Sequence, residues 1–250
     1  TTTDLTSDQI SLGLVAQDFT VQPPTIGLAS SIAFGNVNVA TSSSETLTLS
    51  KTGDLDLVIT DIAGTETGHS FSFSQNPTSS SPLTMAAGST QNVTVSLEVD
   101  SGYSGPPNLS SASLTITSNT GGVVGTSTSL NTTATVLQAK IGVADIAFGE
   151  VNVATSKSQT LTIANNGDLD LVITDIAGTE TGHSFTFSQN PTSSSPLTVA
   201  AGGNLTVTVS LEVDSGYSGP ASLPASLTIT SNTGGVVGTS TSLNATATVL

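Results

Sequence analysis

Cysteine, tryptophan and arginine are all absent from the 250 residues, and the only cationic side chains are Lys51, Lys140 and Lys157. The lack of cysteine excludes a disulfide framework and thiolate metal sites and leaves the redox compartment open. Three lysines against 18 acidic residues give a net charge of -15. Phosphate neutralisation needs clustered Lys and Arg, so no nucleic-acid partner is expected. The same balance argues against docking on an anionic membrane surface. No run of eighteen apolar residues occurs, so no membrane-inserted helix is expected. Charged residues make up only 8% of the chain, and serine and threonine, about a third of it, supply the polarity instead. Hydrophobic residues still reach 36% and are patterned, which a disordered Ser/Thr tract would not require.

An internal repeat organises the chain. Residues 32–105 recur as residues 146–219, offset by 114. The copies then continue in parallel, with one residue deleted before Leu227. The first copy passes through Leu137 into a short linker, Gln138 to Asp145, and Leu250 is the counterpart of Leu137. The apolar pattern inside each copy has period two. Leu47 and Leu49 alternate with Thr, and Leu55, Leu57 and Ile59 with Asp and Val. Phe71 and Phe73 alternate with Ser, and Val93, Val95, Leu97 and Val99 with polar residues. Such runs have one face to bury and one for water. Turn signals separate them, among them Thr52-Gly53-Asp54, Asn76-Pro77 and Gly121-Gly122. With Ile32 to Val39 in front and Ser127 to Leu137 behind, each copy has seven runs. The expected fold is all-β: two tandem seven-stranded Ig-like Greek-key β-sandwiches, with boundaries at 26–138 and 139–250. Tyr103 and Tyr217, just ahead of the sixth strand, sit where a tyrosine corner forms.

These residues resemble a known family. Ile32-Ala33-Phe34-Gly35-Asn36-Val37-Asn38-Val39, Thr46-Leu47-Thr48-Leu49 and Gly53-Asp54-Leu55-Asp56-Leu57 are similar to the opening of choice-of-anchor D repeats. Those belong to the wider ASH-like and major-sperm-protein-like immunoglobulin folds. Leu83 to Ser89 and Leu114 to Asn119 resemble the same family's second half. Two departures stand out. Ala40 and Ala154 replace the glycine usual after the first strand, and the Asn-x-Gly turn kept as Asn165-Asn166-Gly167 becomes Lys51-Thr52-Gly53 in the first copy. The resemblance implies tandem modules in secreted or surface-anchored microbial proteins, and it carries no catalytic residues.

Residues 1–25 lie outside both copies. Ile10, Leu12, Leu14 and Ala16 alternate with smaller or polar residues, and Phe19 and Val21 follow. Thr20 to Gly27 aligns without gaps to Thr135 to Gly142. The segment therefore reads as an extra N-terminal β-strand. It belongs to an upstream repeat, pairs on its own first domain, or enters a neighbouring copy by β-strand addition. The last reading makes a head-to-tail homopolymer, with Ile10, Leu12, Leu14, Ala16, Phe19 and Val21 as the contact.

Chemistry is sparse. His69 and His183 occupy the same Thr-Gly-His-Ser sequence in each copy. They are expected to be polar loop residues duplicated with the repeat, rather than bases or metal ligands. Asp54, Asp56 and Asp61, with Asp168, Asp170 and Asp175, are the calcium candidates, and Glu98 and Asp100 recur as Glu212 and Asp214. Their alternation with leucine places them on the solvent face instead. Lys51 is Asn165 in the other copy and Lys157 is Ser43, so no lysine cross-link survives the duplication. Five sequons, at Asn92, Asn108, Asn131, Asn204 and Asn244, are glycosylation candidates. No phosphate loop, dinucleotide fingerprint or nucleophile elbow is present. The expectation is a non-enzymatic extracellular structural repeat protein without a cofactor, whose partners are copies of itself. The alternatives are a surface adhesin or carbohydrate-binding module, and an Ig-like decoration protein of a phage or virion.

Overall fold

A computed structural model describes residues 20–110 and 112–250. The first copy contains β1 (Thr25–Gly27), β2 (Ser31–Asn38), β3 (Ser42–Thr52), β4 (Leu57–Gly64), β5 (His69–Phe73), β6 (Leu83–Met85), β7 (Thr90–Val99), β8 (Ser113–Ser118) and β9 (Thr126–Leu137). The second contains β10 (Ile141–Gly142), β11 (Ile146–Val151), β12 (Ser156–Asn165), β13 (Leu171–Gly178), β14 (His183–Phe187), β15 (Leu197–Val199), β16 (Asn204–Val213), β17 (Ser222–Ser231) and β18 (Thr239–Val249). No α-helix occurs among the described residues.

In each copy a four-stranded sheet faces a five-stranded one. The orders are β1-β3-β7-β5 and β2-β9-β8-β4-β6, repeated as β10-β12-β16-β14 and β11-β18-β17-β13-β15. The chain alternates between the two sheets from β1 to β8, the crossing pattern of an Ig-like sandwich. All seven expected strands are present in each copy. Two short ones join them, β1 and β6 with their counterparts β10 and β15. Runs of two or three residues are too brief for alternation to register, which is why the sequence pattern passes over them.

Side-chain alternation fixes the layers. Leu47 and Leu49 on β3 and Val93, Val95 and Leu97 on β7 are buried, while Thr46, Thr48 and Thr94 between them face water. Leu57 and Ile59 on β4 and Leu114 and Ile116 on β8 close the core from the other sheet. Each such side chain contributes roughly 1.5–3 kcal/mol when fully buried. A second core, from Ala139 to Val249, repeats this arrangement. The outer face is held by neutral hydroxyls rather than ions: Ser44 Oγ lies 2.6 Å from Ser96 Oγ, and Ser158 Oγ lies 2.6 Å from Ser210 Oγ. Leu55, read above as the first inward residue of its run, is instead exposed in the turn before β4. Asp54-Leu55-Asp56 mimics strand alternation while the chain is still turning.

The two departures in the repeat motif have physical consequences. Lys51 and Asn165 occupy the same buried, inward position at the end of β3 and β12. Asn165 Oδ1 accepts from the Lys140 and Gly167 amides at 3.3 and 3.1 Å. Its Nδ2 donates to the Leu169 and Val199 carbonyls at 2.8 and 3.0 Å. Lys51 Nζ donates to the Gly53 carbonyl at 2.6 Å. The amide thus ties turn, linker and β15 together, whereas the ammonium holds only its own turn.

Ala40 and Ala154 are the only non-glycine residues with positive φ among the described residues, at 60° and 57°. Each is the third residue of a four-residue turn; in the first copy the Thr41 amide closes it onto the Asn38 carbonyl at 3.1 Å. Left-handed backbone costs an L-residue about 1–2 kcal/mol. Glycine's extra unfolded-state entropy costs about 0.5–1 kcal/mol. Ala40→Gly and Ala154→Gly are therefore each expected to stabilise their repeat, by about 0.5–1 kcal/mol. The check is a rise in the urea midpoint; a fall would show that the turn is not strained.

Candidate functional site

The most elaborate surface feature is a cleft that occurs once in each copy, between the start of β5 and the loop that follows β7. In the first copy it encloses about 510 Å³ and is lined by Thr65, Thr67, His69, Asp100, Tyr103 and Asn108, among others. The second copy repeats it around Thr179, Thr181, His183 and Tyr217, with about 810 Å³.

The tyrosine builds the loop. Tyr103 Oη donates to the Pro106 carbonyl at 2.8 Å, and Tyr217 Oη to the Pro220 carbonyl at 2.7 Å. The bond runs to a residue three positions downstream within the tyrosine's own loop, so it is a local clasp, unlike a tyrosine corner, whose bond runs upstream. Glycine makes room for the ring: a Cβ on Gly68 would lie 2.8 Å from Tyr103 Cδ2, and φ there is 71°. Burial raises the Tyr103 phenol above its ordinary pKa.

His69 and His183 are not loop residues. Each opens its strand with its side chain buried, paired opposite Val99 or Val213. Nδ1 lies 3.0 Å from the Thr67 carbonyl, or the Thr181 carbonyl in the second copy. A carbonyl only accepts, so Nδ1 carries the proton and donates. Nε2 is buried without a partner in both copies. The ring stands edge-on to Phe71 at 5.4 Å and to Phe185 at 5.3 Å. Neither ring nitrogen has a hydroxyl to activate, so the pair Ser/Thr plus His needed for nucleophilic chemistry is not assembled here. The signal was in the sequence: His69, Phe71 and Phe73 share one parity.

The carboxylates stay apart. Asp54, Asp56, Asp61, Asp168, Asp170 and Asp175 are all exposed. Asp54 Oδ2 accepts from the Gln22 amide at 2.8 Å. Among the described residues no three His, Cys, Asp or Glu side chains converge on a common point. Asp145 has a structural part instead. It accepts from the Asn244 amide at 2.7 Å and from Asn244 Nδ2 at 3.1 Å, pinning the start of β11 beside β18. The backbone bond first, and then the side-chain bond, hold its carboxyl below the usual range. Asn92, Asn108, Asn131, Asn204 and Asn244 are all exposed. Ile10, Leu12, Leu14, Ala16 and Phe19 lie outside the described residues, and Val21 is exposed.

Asn119 and Asn232 carry a role that sequence reading missed. Asn119 Oδ1 accepts from the Val58 amide at 2.8 Å and its Nδ2 donates to the Asp56 carbonyl at 3.2 Å. Asn232 does the same with Val172 and Asp170. Each fastens the end of β8 or β17 to the start of β4 or β13.

Facing sheets with period-two cores make this an all-β protein of the Ig-like sandwich class. Residues 133–235, from within β9 to the loop before β18, match the ASH family, described as abnormal spindle-like microcephaly-associated, ASPM-SPD-2-Hydin. No curated protein matches the chain. Among solved structures, the chain is similar to a Porphyromonas gingivalis W83 protein of unknown function at 14% identity, covering 90% of this chain and 99% of that one, with a TM-score of 0.33. It is similar to the CupB6 tip adhesin of Pseudomonas aeruginosa at 10% identity, with coverages of 92% and 99% and a TM-score of 0.35. The seventh PapD-like domain of human CEP192, an ASH domain, is 8% identical, with coverages of 45% and 87% and a TM-score of 0.32.

The clasp is open to test. Tyr103→Phe removes the part-buried bond to the Pro106 carbonyl, and it is expected to cost about 1 kcal/mol in urea unfolding. Tyr217→Phe, at the half-buried copy of the site, is expected to cost less, because water replaces the phenol. Equal losses would contradict the difference in burial.

Proposed function

We propose that this chain is a structural repeat protein of a microbial surface, a stalk segment or filament subunit that carries tension, and not an enzyme. Residues 26–138 and 139–250 act as two sandwich domains, in keeping with the choice-of-anchor D resemblance. The observation that carries the reading is the pairing of first and last long strands. β2 runs parallel to β9 over six paired positions, and β11 runs parallel to β18 over five. Pulling the chain ends draws such neighbours in opposite directions along their length. The ladder is then loaded in shear, many bonds at once, instead of being peeled bond by bond. A hydroxylated, weakly charged coat suits an extracellular setting, where sticking and proteolysis are the hazards.

Gln22 to Gly27 are fastened to the chain's own first copy, through Asp54, Gly121 and the β1–β3 pairing, so the subunits join head to tail through residues 1–21, which enter the sheet of the next copy. A second reading, a carbohydrate-binding module, draws on the duplicated clefts, and saturable binding on a glycan array would favour it. Electron microscopy of the purified chain, vitrified at concentrations up to about a millimolar, is expected to show fibres, and deletion of residues 1–22 is expected to abolish them. Isolated particles at every concentration would overturn the filament reading; fibres that persist after the deletion would remove the strand link.

A further inference from the structure

The joint between the two copies has the form of a plug and a socket, and the repeat places a matching plug on the first copy and a matching socket on the second. At the joint, the Thr233–Gly235 turn and Val236 of the second copy meet the first copy's β2–β3 turn and the loop after β7. The Gly102 amide donates to the Gly234 carbonyl at 3.2 Å. A Cβ on Gly102 would lie 3.6 Å from Val236 Cγ2, and one on Gly235 would collide with the Val39 side chain. Glycine at 235 is therefore what lets the two backbones close.

Repetition supplies an internal control. The counterparts of the plug, Gly121, Gly122 and Val123, stand at the end of the first copy away from the joint. The counterparts of the socket, Val153, Gly216 and Tyr217, stand at the end of the second copy away from the joint. Val236 is 37% exposed and Val123 is 64% exposed. Val39 and Tyr103 are buried, whereas Val153 and Tyr217 are half-buried. Three apolar side chains are thus less exposed at the joint than their counterparts at the ends. The strand entering the first copy is also set as in the second: the Gly121 amide donates to the Pro24 carbonyl at 2.7 Å, as Gly234 does to Ala139 at 2.9 Å. Ile26 and Ile141 donate to the Thr120 and Thr233 hydroxyls at 3.1 and 3.0 Å. The socket loops differ in sequence, with Ala221 for Pro107 and one residue deleted ahead of Leu227, and in backbone. Gly102 has φ 77°, while Gly216 does not adopt positive φ; glycine makes that change at little cost.

We propose that successive copies of this chain dock by the same joint, with the Gly121-Gly122-Val123 plug of one copy seated in the Val153-Gly216-Tyr217 socket of the next. The proposal rests on the head-to-tail reading and specifies its contact. Within one chain the linker holds the two halves at an effective concentration on the order of millimolar. Between chains so small a contact is weak, so association is expected at protein concentrations on the order of a millimolar.

Sedimentation of the full chain over that range tests it. Wild type is expected to grow in mass without a fixed end point, because the contact is heterologous and does not close. Val123→Lys and Val153→Lys are each expected to weaken association by about tenfold or more. Val124→Lys is expected to leave it unchanged, since Val124's counterpart Val237 is 80% exposed even at the joint. Mixing the two disabled variants leaves one good plug and one good socket, so pairs of chains form and nothing larger. This complementation also shows that both variants are folded. Association that both substitutions leave intact overturns the joint but keeps the filament reading. A chain that stays monomeric throughout overturns the joint and the filament reading together.

Discussion

Leu47 and Val93 sit directly across from each other on β3 and β7, and both are buried. Their neighbours Thr46 and Thr94 are likewise opposite each other and face water. This strict division of each strand into an apolar and a hydroxylated face is the constraint from which the rest follows. A one-residue slip of any long strand would turn every leucine and valine outward. Register is therefore set by the core, and the outer face is free to be neutral. Three lysines and no arginine are enough for a protein whose outer surface relies on serine and threonine.

Duplication makes the physics legible, because each site comes with a comparison. Where the copies agree, as at Asn119 and Asn232, the same two hydrogen bonds recur to within a tenth of an ångström. Where they differ, the consequence can be seen. Asn165 makes four bonds from the position at which Lys51 donates to one carbonyl. Tyr103 is buried where a neighbouring repeat abuts it, and Tyr217 is half-buried where none does. The loop sequences differ there too, with Ala221 where the first copy has Pro107 and one residue deleted ahead of Leu227.

The strands could be read from alternation because burial on one face imposes period two. The errors lie where backbone geometry, and not burial, sets the outcome. Leu55 satisfies the alternation but falls in a turn. His69 follows Thr-Gly and so looks like loop, yet the chain has left the turn and the imidazole points inward. Nothing in the identity of Ala40 announces a φ of 60°; only the glycine expected there by resemblance hinted at it. The clefts and the joint were not legible at all, since each gathers segments far apart in sequence around loops without a periodic signal.

The mechanical reading turns on how the ends of each sandwich are tied. Because β2 lies parallel to β9, and β11 to β18, tension between the termini shears both ladders. Single-molecule stretching of the full chain tests this most directly. Two separate unfolding events are expected, each releasing roughly 300–400 Å of chain, at forces well above those that peel a hairpin. Gradual lengthening at low force, or one event that releases both halves together, would contradict the account.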